Sequence, residues 1–203
     1  MIDALFGSKT RVKLLHLFLN NPGQPFYVRE ITRKIDEQIN SVRRELSNML
    51  EIGIITSDSA DNKLYYQVNQ RYEYYLPLRT IFGDNLDQNR ASLVANTSIS
   101  SHGTDYKHIL GAIPGVRLAI LSGILVKNAN VSVDIILVGS FAATKVKAAI
   151  KEIENYEGRE INYSVLSYDE FYYRLSVRDK FITEILNSEH EVAVDKDNIL
   201  TKQ

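Results

Sequence analysis

Three stretches with apolar residues at helical spacing, followed at once by two β-prone runs around a polar tip, occupy most of residues 9–68. That order constrains the fold more than any other feature of the chain. Ser8 is placed to cap a helix over residues 9–20, where Val12, Leu14, Leu15, Phe18 and Leu19 make a wide apolar stripe and Asn21-Pro22-Gly23 supplies the stop. Phe26-Tyr27-Val28 reads as a short extended piece leading into a second helix, residues 29–35, with Ile31 and Ile35 one turn apart. After a polar break at residues 36–38, Asn40 is the expected cap of a third helix that ends at Gly53 and turns Val42, Leu46, Met49 and Leu50 inward. Ile54-Ile55-Thr56 and residues 64–68 flank the tip, residues 57–62, as an antiparallel hairpin.

Helix, helix, helix, hairpin is the order of a winged helix-turn-helix, assigned here to residues 1–82. One more helix is expected over residues 72–82, bent or delayed by Pro77. Residues 83–107 turn rich in Asn, Asp, Ser and Gly and read as a polar linker, with residues 91–95 a possible helical piece. Residues 108–203 then alternate strand and helix signals: strands over 117–126 and 131–138, a helix over 141–156 that stops before Gly158, and a strand over 161–166. Ser167 with Glu170 forms a capping box opening one helix that carries Phe171, Leu175, Ile182 and Ile185, and residues 190–194 close the domain as a strand. The expected fold class is α+β in two domains, the second an α/β unit.

Composition removes several function classes. The chain has no cysteine, which excludes disulfides, thiolate metal sites and cysteine nucleophiles. Its four histidines are scattered, and His16 lacks a second ligand at i+3 or i+4, so a metal role is not expected. The longest uncharged apolar run, residues 118–126, is half of what spans a bilayer. Met1-Ile2-Asp3 opens with an acid rather than a basic start, so the expectation is no secretory signal and a cytoplasmic protein. Net charge is −1, so attraction to a polyanion must be local. Residues 1–80 hold eleven basic and nine acidic side chains, a balance of +2 against −3 for the remainder. Phe6-Gly7-Ser8-Lys9-Thr10 lacks the Gly-Lys-[Ser/Thr] order of a phosphate loop, and no cofactor motif is present.

The third helix carries the most informative pattern. Asn40, Arg43, Arg44 and Ser47 recur at i, i+3, i+4, i+7 away from the apolar stripe, and all are hydrogen-bonding types. Arginine forks pair with guanine edges or phosphates, asparagine with adenine, and serine with either, so this face suits a major groove. Arg29, Gln38 and Ser41 flank it, and Lys63 on the hairpin is a candidate phosphate contact. The plain alternative is a solvated helix face in a protein-interaction module. Tyr65, Tyr66, Tyr72, Tyr74 and Tyr75 are better read as packing than as base-stacking platforms.

Phe6-Gly7-Ser8-Lys9-Thr10-Arg11-Val12-Lys13-Leu14-Leu15, Phe26-Tyr27-Val28-Arg29-Glu30-Ile31, Val42-Arg43-Arg44-Glu45-Leu46 and Gly53-Ile54-Ile55 closely resemble a winged-helix domain of the kind fused ahead of small nucleotidyltransferase domains. Ile113-Pro114-Gly115-Val116-Arg117-Leu118-Ala119 is similar to the lead-in of the first strand of such a nucleotidyltransferase, and Val133-Asp134-Ile135-Ile136-Leu137-Val138 to its second. Active members carry Gly-Ser after the first strand and two aspartates one residue apart on the second, which hold divalent ions against nucleotide phosphates. Here Gly123 fits the glycine but Ile124 stands at the serine, and Asp134 fits the first aspartate but Ile136 stands at the second. The strand over residues 161–166 offers no acid. The resemblance therefore implies a nucleotidyltransferase-like fold without catalysis, in a transcriptional regulator that binds double-stranded DNA as a homodimer. Its second domain would serve dimerisation or the sensing of a small-molecule or protein effector, and Asp134 would remain as a strand-end hydrogen-bonding residue. The apolar, tyrosine-rich residues 72–82 are the expected part of the dimer contact. An active nucleotidyltransferase and an interaction scaffold are the competing readings.

Overall fold

A computed structural model describes residues 5–83, 103–127, 129 and 131–200. The chain divides into two compact units, Met1–Ala95 and Asn96–Gln203. It is mixed α and β, with eight α-helices and two sheets among the described residues. No described helix is long and apolar enough to cross a membrane.

The N-terminal unit runs α1 (Lys9–Leu19), β1 (Phe26–Tyr27), α2 (Val28–Ile35), α3 (Ile39–Ile52), β2 (Ile55–Ala60), β3 (Lys63–Val68) and α4 (Tyr75–Phe82). Ser8 caps α1 as expected, its hydroxyl accepting from the Arg11 N–H. The three strands form an antiparallel sheet in the order β1-β3-β2, with Phe26 opposite Tyr66 and Ile55 opposite Val68. Val12, Leu15, Phe18, Phe26, Ile31, Val42, Leu46, Met49 and Val68 build one core.

Four sequence expectations shift here. Asn40 does not cap α3: Gln38 occupies the N-cap position without a side-chain bond, and Asn40 lies inside the first turn. The hairpin tip shrinks to Asp61-Asn62, because β2 and β3 pair as far as Ala60 opposite Lys63 and both turn residues take positive φ, the two-residue geometry that follows strand twist. Lys63 therefore directly adjoins the tip. α4 begins only at Tyr75, with Pro77 in its first turn, where backbone N–H groups have no intrahelical partner. Tyr75 and Phe82 are buried in this unit's own core, with Leu76 and Leu78 packed against it, so most of the apolar side of residues 72–82 is spent internally.

The C-terminal unit runs α5 (Gly103–Gly111), β4 (Val116–Leu121), a 3-10 turn (Gly123–Leu125), β5 (Ile135–Gly139), α6 (Ala143–Glu157), β6 (Tyr163–Leu166), α7 (Tyr168–Ser176), α8 (Lys180–Asn187) and β7 (Glu191–Asp195). The sheet order is β6-β5-β4-β7; β4 is antiparallel to both neighbours, and β5 is parallel to β6 through the α6 crossover. Alternation along the strands sends Ala119, Leu121, Ile135 and Leu137 to one face, against Tyr106 and Leu110 of α5 and Val146, Ile150 and Ile153 of α6. Leu118, Ile120, Ile136 and Val138 go to the other, against Phe171 of α7 and Ile182 and Ile185 of α8. Both faces of the sheet are thus covered.

The expected linker over residues 83–107 is too long at its far end, because α5 begins at Gly103 and buries Tyr106; residues 84–102, including the expected helical piece at 91–95, lie outside the described residues. The strand expected to reach residue 126 stops at Leu121, where Gly123 takes φ +53 and turns the chain. The strand expected from residue 131 begins at Ile135. The single helix expected after Ser167 is two, broken at Arg178, which has φ 51, and restarted by Asp179, whose carboxylate accepts from the Phe181 N–H.

Candidate nucleic-acid interface

The outward face of α3 is where the N-terminal unit concentrates unspent hydrogen-bonding groups. Asn40, Arg43, Arg44 and Ser47 are exposed, while Val42, Leu46 and Met49 are buried on the opposite side. Arg43 makes no ion pair among the described residues, and Arg44 reaches Glu45 only at 3.8 Å with most of its side chain in solvent. Gln38 is exposed and Ser41 half-buried at the N-terminal end, where helix N–H groups favour phosphate oxygens. Arg29 is exposed on α2. Lys63 is drawn over the Tyr27 ring, 5.3 Å from its centroid, beside a hairpin that also carries Asp58 and Asp61. Lys63 is exposed there among acidic neighbours, while the exposed arginines Arg29, Arg43 and Arg44 lie on α2 and α3.

Two ion pairs that sequence reasoning missed hold this surface in place. Glu45 follows the exposed Arg43 and Arg44 in α3 yet is 2% exposed. Arg11 of α1 binds it from Nε at 3.0 Å and from Nη2 at 2.9 Å. Burial pushes the Glu45 carboxyl up, but hydrogen bonds from Ser8, Arg11 and Asn48 and the Arg11 charge outweigh it and leave it below the ordinary 4.5. The signal was present: Glu45 shares the apolar stripe with Val42, Leu46 and Met49, and a carboxylate there needs a buried partner. Lys13 performs the matching task at the bend between α2 and α3. Its ammonium donates to the Ile35 carbonyl at 2.8 Å and pairs with Glu37 at 2.8 Å, satisfying the C-terminal end of α2. The Lys13 hydrogen bond is the main cause that lowers the Glu37 carboxyl. Arg33 was missed as well; it stands one turn from Arg29 and is also exposed.

In the C-terminal unit the residues of the nucleotidyltransferase resemblance come together, but as a structural knot. Asp134 is completely buried. Its Oδ1 accepts from the Ile124 N–H at 2.9 Å and its Oδ2 from the Asn162 N–H at 2.8 Å, while its own N–H and carbonyl bond to Asn162 and Ser122. One carboxylate thereby ties together the ends of β4, β5 and β6. Gly123 is required by the same contact: a Cβ there would stand 2.1 Å from Asp134 Oδ1. Ile136 faces the α7–α8 side and is part of the core there. The residues present do not fit a divalent cation, since both oxygens of Asp134 are already taken by backbone donors and the neighbouring position is aliphatic. Among the described residues no group of three His, Asp or Glu is arranged to hold a metal.

No known family model, curated protein or solved structure matches the chain.

Proposed function

We propose that the protein is a cytoplasmic DNA-binding transcriptional regulator, with an N-terminal winged helix-turn-helix that inserts α3 into the major groove and a C-terminal unit that is a nucleotidyltransferase-like fold without catalysis. The observation that carries the reading is the segregation along α3. Four exposed hydrogen-bonding side chains form one face, and the carboxylate within that stretch of helix, Glu45, is withdrawn into an ion pair behind it. A generic solvated helix has no reason to bury its acid and leave two adjacent arginines outward. A groove-binding helix does, because an exposed carboxylate there would repel phosphates. The non-catalytic reading of the second unit is supported by the use of Asp134 as a backbone acceptor and by the cover of α7 and α8 over the Ile136 face.

Selection of bound sequences from a random duplex pool tests this reading. The expected result is an enriched motif whose binding weakens linearly in log salt, as counterions are displaced from phosphates. An unenriched pool, with no retention even at low salt, would replace it with the interaction-scaffold reading.

A further inference from the structure

The four-stranded sheet has two edges, and they are built differently. β7 carries Glu191 and Asp195, and Glu191 pairs with Lys107 at 2.8 Å. Its register with β4 shifts at Ala119/Ile120, leaving Ala193 as an extra residue, and Ala193 and Val194 pack against the core on the α5 side. Charge, a bulge and cover are the devices by which natural sheets protect an edge from pairing. Among the described residues β6 has none of them. Its register with β5 is unbroken, residues 161–168 contain neither a charged residue nor a proline, and Tyr163 and Val165 are 37% and 45% exposed.

We propose that β6 is the interface of a homodimer, in which two copies pair this strand antiparallel about a two-fold axis through Ser164. The backbone orientation follows from Asn162, whose carbonyl accepts from Asp134 at 2.7 Å and whose N–H donates to the Asp134 carboxylate at 2.8 Å. Asn162 therefore faces β5, and by alternation so do Ser164 and Leu166, which leaves the N–H and C=O of Tyr163 and Val165 pointing off the edge. A two-fold at Ser164 sets Tyr163 opposite the partner's Val165, and Val165 opposite the partner's Tyr163. Each pair then exchanges both its N–H···O bonds. Both side chains lie on the face of Ile135 and Leu137, so the pairing also stacks an aromatic ring on a β-branched side chain in each half, a favoured cross-strand combination.

A second copy is the occupant because the strand is its own complement. Its two exposed apolar side chains are spaced two residues apart, so one symmetry axis satisfies both. The uncharged edge meets its image without desolvating a charge, whereas β7 paired to itself would bring Glu191 and Asp195 of both copies together. This interface does not depend on the DNA-binding reading, and it moves the dimer contact away from residues 72–82.

The chain has no cysteine, so a single introduced thiol reports cleanly. At the two-fold axis of such a pair the Cα atoms approach to about 4.5 Å, within disulfide range. Ser164→Cys is expected to form a covalent dimer on mild oxidation, whereas Lys147→Cys on the exposed side of α6 is expected to remain monomeric under the same treatment. In light scattering at tens of micromolar, the wild-type protein is expected at the mass of two 23.1 kDa chains and Val165→Lys at the mass of one. If Val165→Lys does not fold, the Ser164→Cys comparison decides alone. A monomeric wild type, a dimer that Val165→Lys leaves intact, or cross-linking of Ser164→Cys no greater than that of Lys147→Cys would overturn the proposal.

Discussion

Replacing Asp134 by alanine is expected to destabilise the C-terminal unit by about 3–5 kcal/mol, because it removes a fully buried carboxylate from two backbone donors that each lose a charge-assisted bond worth about 1.5–3 kcal/mol. The loss is expected at the junction of three strands, since the Ile124 and Asn162 N–H groups have Asp134 as their acceptor. Urea unfolding, followed by a probe confined to this unit, measures it. Gly123→Ala is expected to be comparably damaging, for the complementary reason that its Cβ would displace the same carboxylate. The pairing of these effects separates a structural aspartate from a metal-binding one. An active-site carboxylate can be removed with little cost to folding, whereas this one cannot. In the same account the wild-type protein transfers no nucleotide from any triphosphate with Mg²⁺ or Mn²⁺. Metal-dependent labelling of an acceptor, abolished in an Asp134→Ala protein that remains fully folded, would reverse the assignment.

The second large effect is expected at the ion pair behind α3. Arg11→Ala is expected to cost about 3 kcal/mol, and more than Glu45→Ala, because it leaves the buried member of the pair without its charge partner. Glu45→Ala leaves Arg11, which keeps about a third of its side chain in solvent and rehydrates. The pH dependence follows from the direction of the Glu45 shift. In the wild type the folded carboxyl is held below its ordinary 4.5, so its contribution is fully present above that pH and is lost as pH falls through the lower folded value. Without Arg11, burial is opposed by Ser8, Asn48 and the more distant, solvent-exposed Arg44, and the carboxyl is expected to move upward, so acidification relieves the variant. The stability gap between wild type and Arg11→Ala should therefore narrow from pH 7 to pH 4. A gap independent of pH would show that Arg11 acts by packing alone.

Much of the N-terminal unit was legible because its signals are local. Apolar residues recur at helical spacing, Ser8 caps α1, and Gly53 ends α3 with φ +86. What escaped depends on contacts between distant residues. Glu45 and Arg11 are 34 positions apart, and the burial of a charge on an apolar stripe shows only when its partner arrives. In the C-terminal unit periodicity itself misled. Leu175 and Ile182 are seven residues apart, so the helical phase runs unbroken through Arg178 and Asp179, where the chain actually turns and restarts. The strand expected to reach residue 126 erred in the same way, since an apolar run continues past Gly123 although the backbone leaves the sheet there. The role of Asp134 as a strand-end hydrogen-bonding residue was expected from the sequence. The need for glycine at position 123 emerges only from the 2.1 Å approach.

Binding of wild type, Arg43→Ala, Arg44→Ala and Asn48→Ala to a selected duplex, across a salt series and after each is shown to be folded, tests the central claim most directly. An arginine that reads a base should cost about 1–3 kcal/mol on removal and relax preference at one position; one that contacts phosphate should weaken binding to every sequence and reduce the salt slope by about one. Asn48→Ala should matter less, because Asn48 is half-buried and hydrogen-bonded to Glu45 rather than presented with the arginines. Loss of affinity in both arginine variants, with near wild-type affinity for Asn48→Ala, is the predicted result. Equal affinity for all four proteins, or no binding by the wild type even at low salt, would contradict the assignment of α3 as a recognition helix.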